Sequence, residues 1–163
     1  MAPIKIFLAF IFLTLSSCEK KAVDPVINSV SATIDGKSWE KKACWGCIGA
    51  GSSLDVTYQD SLFKLTAEDG DRDIVLRFII LNVKSVGVYV LTSRDKNYAR
   101  LTDGNTEEGP FYTNDQKNGK FIVTHLDLTK KTMSGTFEFE ANNEYKPNLT
   151  VKVLNGKFHV KLD

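Results

Sequence analysis

From Asn28 onward the apolar residues of this chain recur at every second position, and no segment there carries a convincing amphipathic helix. In NSVSATIDGKSWEKKA, Val30, Ala32 and Ile34 alternate with Ser29, Ser31 and Thr33. Successive side chains of a strand point to opposite faces, so the pattern makes one dry face and one wet one. Asp35-Gly36 comes next, a pair that accepts the left-handed backbone of a tight hairpin turn. Closing that turn sets Ile34 opposite Lys37 and Ala32 opposite Trp39, a small residue facing a large one.

The same grammar runs to the C-terminus. NLTVKVLNGKFHVKLD contains Asn155-Gly156, the preferred pair of a type I′ turn, and predicts a hairpin with Val153 opposite Phe158, Val151 opposite Val160 and Leu149 opposite Leu162. TMSGTFEFEAN sends Met133, Phe137 and Phe139 one way and Ser134, Thr136, Glu138 and Glu140 the other. DIVLRFIIL, residues 73–81, is apolar almost throughout, as expected of a strand covered on both faces or sitting at the centre of a sandwich or barrel. Further strands are expected at residues 54–58, 62–67, 86–91, 97–102 and 121–128. About ten short strands joined by close turns predict an all-β fold, a single antiparallel β-sandwich or an up-and-down, lipocalin-like barrel.

Ahead of this pattern stands MAPIKIFLAFIFLTLSSC, with one cation at Lys5, an apolar run over residues 6–15 and small residues before Cys18. It reads as a secretory signal, too short to span a bilayer comfortably. Leu15, Ser16, Ser17 and Cys18 match the lipobox of bacterial lipoproteins, in which the cysteine is lipidated and the chain is cut just before it. The expected organisation is a signal peptide over residues 1–17, a lipidated tether over 18–27 and one β domain over 28–163. The signal holds a single cation of the chain's 21 and none of its 20 acids, so the remainder is balanced in charge. That balance speaks against nucleic acid as a partner. The membrane partner is reached through the N-terminal lipid, since two or more acyl chains hold a protein stably.

Cys44 and Cys47, in CWGC, have a spacing open to several chemistries. A redox pair places its first thiol at a helix N-terminus, whereas here IGAGSSLDV follows, with small breakers and then a strand. A structural zinc site needs four ligands, and beside these two cysteines the chain offers only His125 and His159, the latter on the wet face. His125 itself reads as a half-buried histidine hydrogen-bonded at a sheet rim. Secretion favours a local disulfide, with unpaired thiols as the other bland outcome. No metal and no cofactor is expected. EDGDRD, residues 68–73, reads as a hairpin turn, and Glu138 and Glu140 as the solvated side of a strand. Residues 93–120 break the rhythm, being polar and turn-rich yet carrying aromatics. Here the candidate ligand contacts are Tyr98, Phe111 and Tyr112 for stacking, with Arg94 or Arg100 to orient the ligand; the alternative is that these aromatics cap the core.

SATIDGKSW, GVYVL, GKFIVTHLD, MSGTFEFEA and VLNGKF, in that order along the chain, resemble the segments of an uncharacterised family of small β-rich lipoproteins of Gram-negative bacteria, a domain of unknown function. The resemblance implies a lipidated β domain at the outer membrane and brings no catalytic residues with it. CWGC departs from the family's pattern. The expected function is therefore a lipid-anchored binding or structural domain of the cell envelope, not an enzyme. Its partner would be a glycan, a small amphipathic ligand or an envelope protein. The rival is an envelope thiol-disulfide redox protein using Cys44 and Cys47. Alkylation and mass spectrometry under mild reduction separate the two, because only the rival needs the pair to titrate as a redox couple.

Overall fold

A computed structural model describes residues 28–42, 54–70, 73–104 and 107–163. Its regular elements are all strands: β1 (Ser29–Ile34), β2 (Lys37–Lys42), β3 (Leu54–Gln59), β4 (Leu62–Asp69), β5 (Ile74–Ile80), β6 (Gly87–Leu91), β7 (Tyr98–Asp103), β8 (Phe111–Tyr112), β9 (Gly119–Asp127), β10 (Thr132–Asn143) and β11 (Thr150–Lys161). The first hairpin forms as its sequence dictates. Ile34 pairs with Lys37 and Ala32 with Trp39, while Asp35 and Gly36 take φ of 45° and 79°.

All eleven strands join one antiparallel sheet, in the order β2-β1-β11-β10-β8-β7-β5-β4-β3. The twelve-residue β10 is the fork of this sheet. One of its edges carries β11, and the other carries β9 alongside Thr132 to Phe139 and β8 alongside Asn142 and Asn143. β9 in turn carries β6. The sheet curls until β2 approaches β4, which makes it a nearly closed barrel and not two stacked layers. The order is not the sequential one of a simple meander, since β1 lies beside β11 and the β9–β6 pair branches off.

Asn155-Gly156 does not make a turn. Both residues lie inside the continuous strand β11, where the register against β1 slips between Ser31–Lys157 and Thr33–Leu154, and that against β10 between Phe137–Gly156 and Phe139–Val153. This is a β-bulge, with Asn155 at φ 53°. Gly156 lies directly under the Phe137 ring, which would occupy the place of any Cβ there. A two-residue turn and a one-residue bulge both reverse the odd-even alternation. Val151, Val153, Phe158, Val160 and Leu162 are therefore buried as expected, although the topology differs.

β5 lies inside the sheet between β7 and β4, as one of the two expected settings has it, and of its two faces one is fully buried. Leu76, Phe78 and Ile80 enter the core at 0% exposure, while Val75, Arg77 and Ile79 lie half-buried on the outer face. The interior is filled by Phe63, Phe78, Phe121, Phe137, Phe139 and Phe158, whose ring centroids lie 4.5 to 6.5 Å apart. Such tilted and offset pairs add to the area each ring removes from water.

Candidate functional site

Residues 93–120 are less of a loop than their polarity suggests, because β7 and β8 lie within them and join the sheet between β5 and β10. Strand periodicity then sorts the candidate residues. Ala99, Leu101 and Phe111 turn inward and are buried, while Tyr98, Arg100 and Tyr112 stand half-buried on the outer face. Phe111 was a candidate for ligand stacking; at 6% exposure it belongs to the core and cannot share a ligand with the two tyrosines.

On the outer face the register brings together residues distant in sequence. Arg77 on β5 faces Arg100 on β7, Arg100 faces Tyr112 on β8, and Tyr112 faces Asn142 on β10. The Tyr98 and Tyr112 rings lie 6.2 Å apart, tilted by 44°. Arg94, from the turn before β7, lays its guanidinium 3.6 Å from the centroid of the Tyr112 ring and donates from Nη2 to Glu144 Oε1 at 2.5 Å. That hydrogen bond holds the Arg94 pKa above its ordinary value, against the opposing effect of desolvation. Arg100 stands 5.7 Å from the same ring.

Short-range hydrogen bonds fix the platform. Thr113, 1% exposed, accepts from the Ala99 amide at Oγ1 over 3.0 Å and donates its own amide to the Ala99 carbonyl over 3.1 Å. Asn114 Oδ1 accepts the Gln116 and Lys117 amides, and its Nδ2 donates to Asn142 Oδ1 at 3.1 Å. Buried Asn143 donates to the Glu108 carbonyl at 2.6 Å and accepts the Tyr145 and Lys146 amides, so it clamps two loops together. Between these groups opens a cleft of about 390 Å³, lined by Arg94, Tyr112, Asn114, Gln116, Asn142 and Glu144 among others. An aromatic face, planar amides and a guanidinium are suited to stacking and hydrogen bonding with a polar ring.

A second groove, of about 450 Å³, lies along β9, β10 and β11. Glu140 sits in it between Lys117 Nζ at 2.7 Å and Lys152 Nζ at 3.6 Å. Lys117 first, and Lys152 after it, holds the Glu140 carboxyl below its ordinary value. Glu138 is exposed, as the wet face of a strand requires. Glu140 is thus shared by two lysines, and Lys120 and Glu138 complete the charged lining of the groove.

His125 is exposed and not half-buried, because a register shift between Ser134 and Gly135 bulges β9 beside it. His159 lies on the outer face with Nδ1 2.6 Å from Ser134 Oγ. Among the described residues no three His, Cys, Asp or Glu side chains converge. Cys18, Cys44 and Cys47 lie outside the described residues. Sequence reading passed over Arg77, Glu144, Asn114 and Asn142. Arg77 alone carried a signal, as the one charge inside an otherwise apolar strand.

The chain belongs to the DUF6252 family, a domain of unknown function, whose model matches residues 29–160. No curated protein and no solved structure matches the chain.

Proposed function

We propose that this DUF6252 protein is a lipid-anchored binding domain of the bacterial cell envelope, without catalytic activity of its own. Cys18 carries the lipid that ties it to the outer membrane, and the outer face of β7 and β8 receives the ligand. One observation carries the binding site: Arg94, Tyr98 and Tyr112 converge with Glu144 and Asn142 from separate stretches of chain onto one rigid face. The phenylalanine-filled interior supports a surface site over an internal one, and hence a glycan or a protein over a small amphipathic molecule. The lipobox of Leu15 to Cys18 supports the anchor.

Two experiments test the reading. Acyl-chain labelling in a Gram-negative host should mark the wild type and not Cys18→Ala, and a Cys18→Ala protein still fractionating with membranes would sink the anchor. Amide-resolved NMR during titration with neutral and acidic oligosaccharides should shift β7 and β8 resonances, and Tyr112→Ala should lose that response while keeping its melting temperature. Shifts confined to other strands would sink the site.

A further inference from the structure

Resting on that reading of the face, we propose that Arg77 and Arg100 form an oxoanion subsite beside the tyrosines, so that the ligand is an acidic saccharide bearing carboxylate or phosphate on its sugar rings.

The two arginines are direct partners in the β5–β7 pairing. Directly opposed residues of an antiparallel pair have Cβ atoms about 4.5–5.5 Å apart, and like charges so placed repel. Among the described residues no carboxylate forms an ion pair with either one; the ion pairs there are made by other side chains. Arg77 donates from Nε to Thr66 Oγ1 at 3.3 Å, a neutral acceptor. Arg100 has a buried Nε with no hydrogen-bond partner, and Thr102 Oγ1, next along the same face of β7, is equally unsatisfied. The pairing thus sets two arginines directly opposite each other, one leaning toward Thr66 and the other toward Tyr112, with no ion-pair partner for either among the described residues. Guanidinium forks match carboxylate and phosphate geometry, and one oxoanion between two of them converts the repulsion into attraction.

The surroundings set what carries the anion. Thr66, Arg77, Arg100, Tyr112 and Asn142 form one row of directly opposed residues across β4, β5, β7, β8 and β10. At about 4.7–4.9 Å per strand this row runs roughly 19 Å, long enough for several linked sugar rings and too long for a lone ion. Cationic, aromatic and amide positions follow one another along it, the order in which an acidic group, a sugar face and hydroxyls would be met. Lys64, opposite Ile79 in the adjacent row, adds a further cation, whereas the charge of Arg94 is already taken by Glu144.

The test titrates the full chain in detergent with tetragalacturonate, with the neutral tetramer galactotetraose, and with glucose 6-phosphate. Tetragalacturonate or glucose 6-phosphate should shift β5 and β7 amides, with affinity falling as salt rises. Whichever of the two binds tells carboxylate from phosphate. Arg77→Gln with Arg100→Gln should weaken that binding at least tenfold without lowering the melting temperature, since the double variant removes a repulsion. Galactotetraose binding as tightly as the acidic probes, lost in Tyr112→Ala and unchanged in the arginine variant, would overturn the anionic subsite and keep the binding face. Silence of this face toward all three probes would overturn both.

Discussion

Gly156 and Glu140 show how much a single position depends on what stands across the strand. Gly156 is the partner of Phe137, whose ring covers it so closely that a methyl group has no room. Gly156→Ala should therefore cost about 1–3 kcal/mol in urea unfolding. Asn155→Gly, at a left-handed position glycine tolerates, should change stability by only a few tenths of a kcal/mol. Glu140 lies among lysines that hold its carboxyl below the ordinary value. A depressed carboxylate stabilises above the unfolded-state pKa, about 4.3, and that contribution is lost as pH falls through the lower folded value. Melting temperature should thus fall with pH below about 4.3 less steeply in Glu140→Gln than in the wild type. Neither dependence was legible beforehand, because Phe137 and Lys117 each lie far from their partner in sequence.

At the scale of elements, β11 is where local grammar and tertiary context part. Asn-Gly is a strong hairpin signal because both positions accept positive φ. A bulge uses the same backbone freedom, and here a twelve-residue β10 on one edge and β1 on the other hold the strand straight through it. Cross-strand NOEs should therefore connect Phe137 with Gly156 and Thr33 with Leu154, and the Val153–Phe158 amide contacts of a hairpin should be missing. The β1–β2 hairpin was legible to the residue, since no long partner strand competes with its turn. β8 escaped notice for the opposite reason. At two residues it is too short to show any period, yet it completes the candidate site by carrying Tyr112 between Arg100 and Asn142.

For the whole molecule, a barrel-like sheet around a phenylalanine core puts the stabilising residues and the proposed binding residues on opposite faces of the same strands. Phe78 has ring centroids 5.1, 4.7 and 5.9 Å from those of Phe121, Phe137 and Phe139. Phe78→Ala should cost about 3–5 kcal/mol by chemical denaturation. Val88→Ser, on the exposed outer face of β6, should stay within about 0.5 kcal/mol of wild type. Because Arg77, Arg100 and Tyr112 project away from that core, they can be replaced without emptying it.

Alternation along the chain, by itself, determined the class of the fold and the inward faces of β1, β10 and β11, because which way a side chain points is set by its neighbours one and two positions away. What only the tertiary structure decided is pairing: barrel over sandwich, bulge over hairpin, Phe111 in the core, and Arg77 beside Arg100. Pairing joins residues tens of positions apart, and alternation of period two fixes the face of each strand without naming the strand beside it.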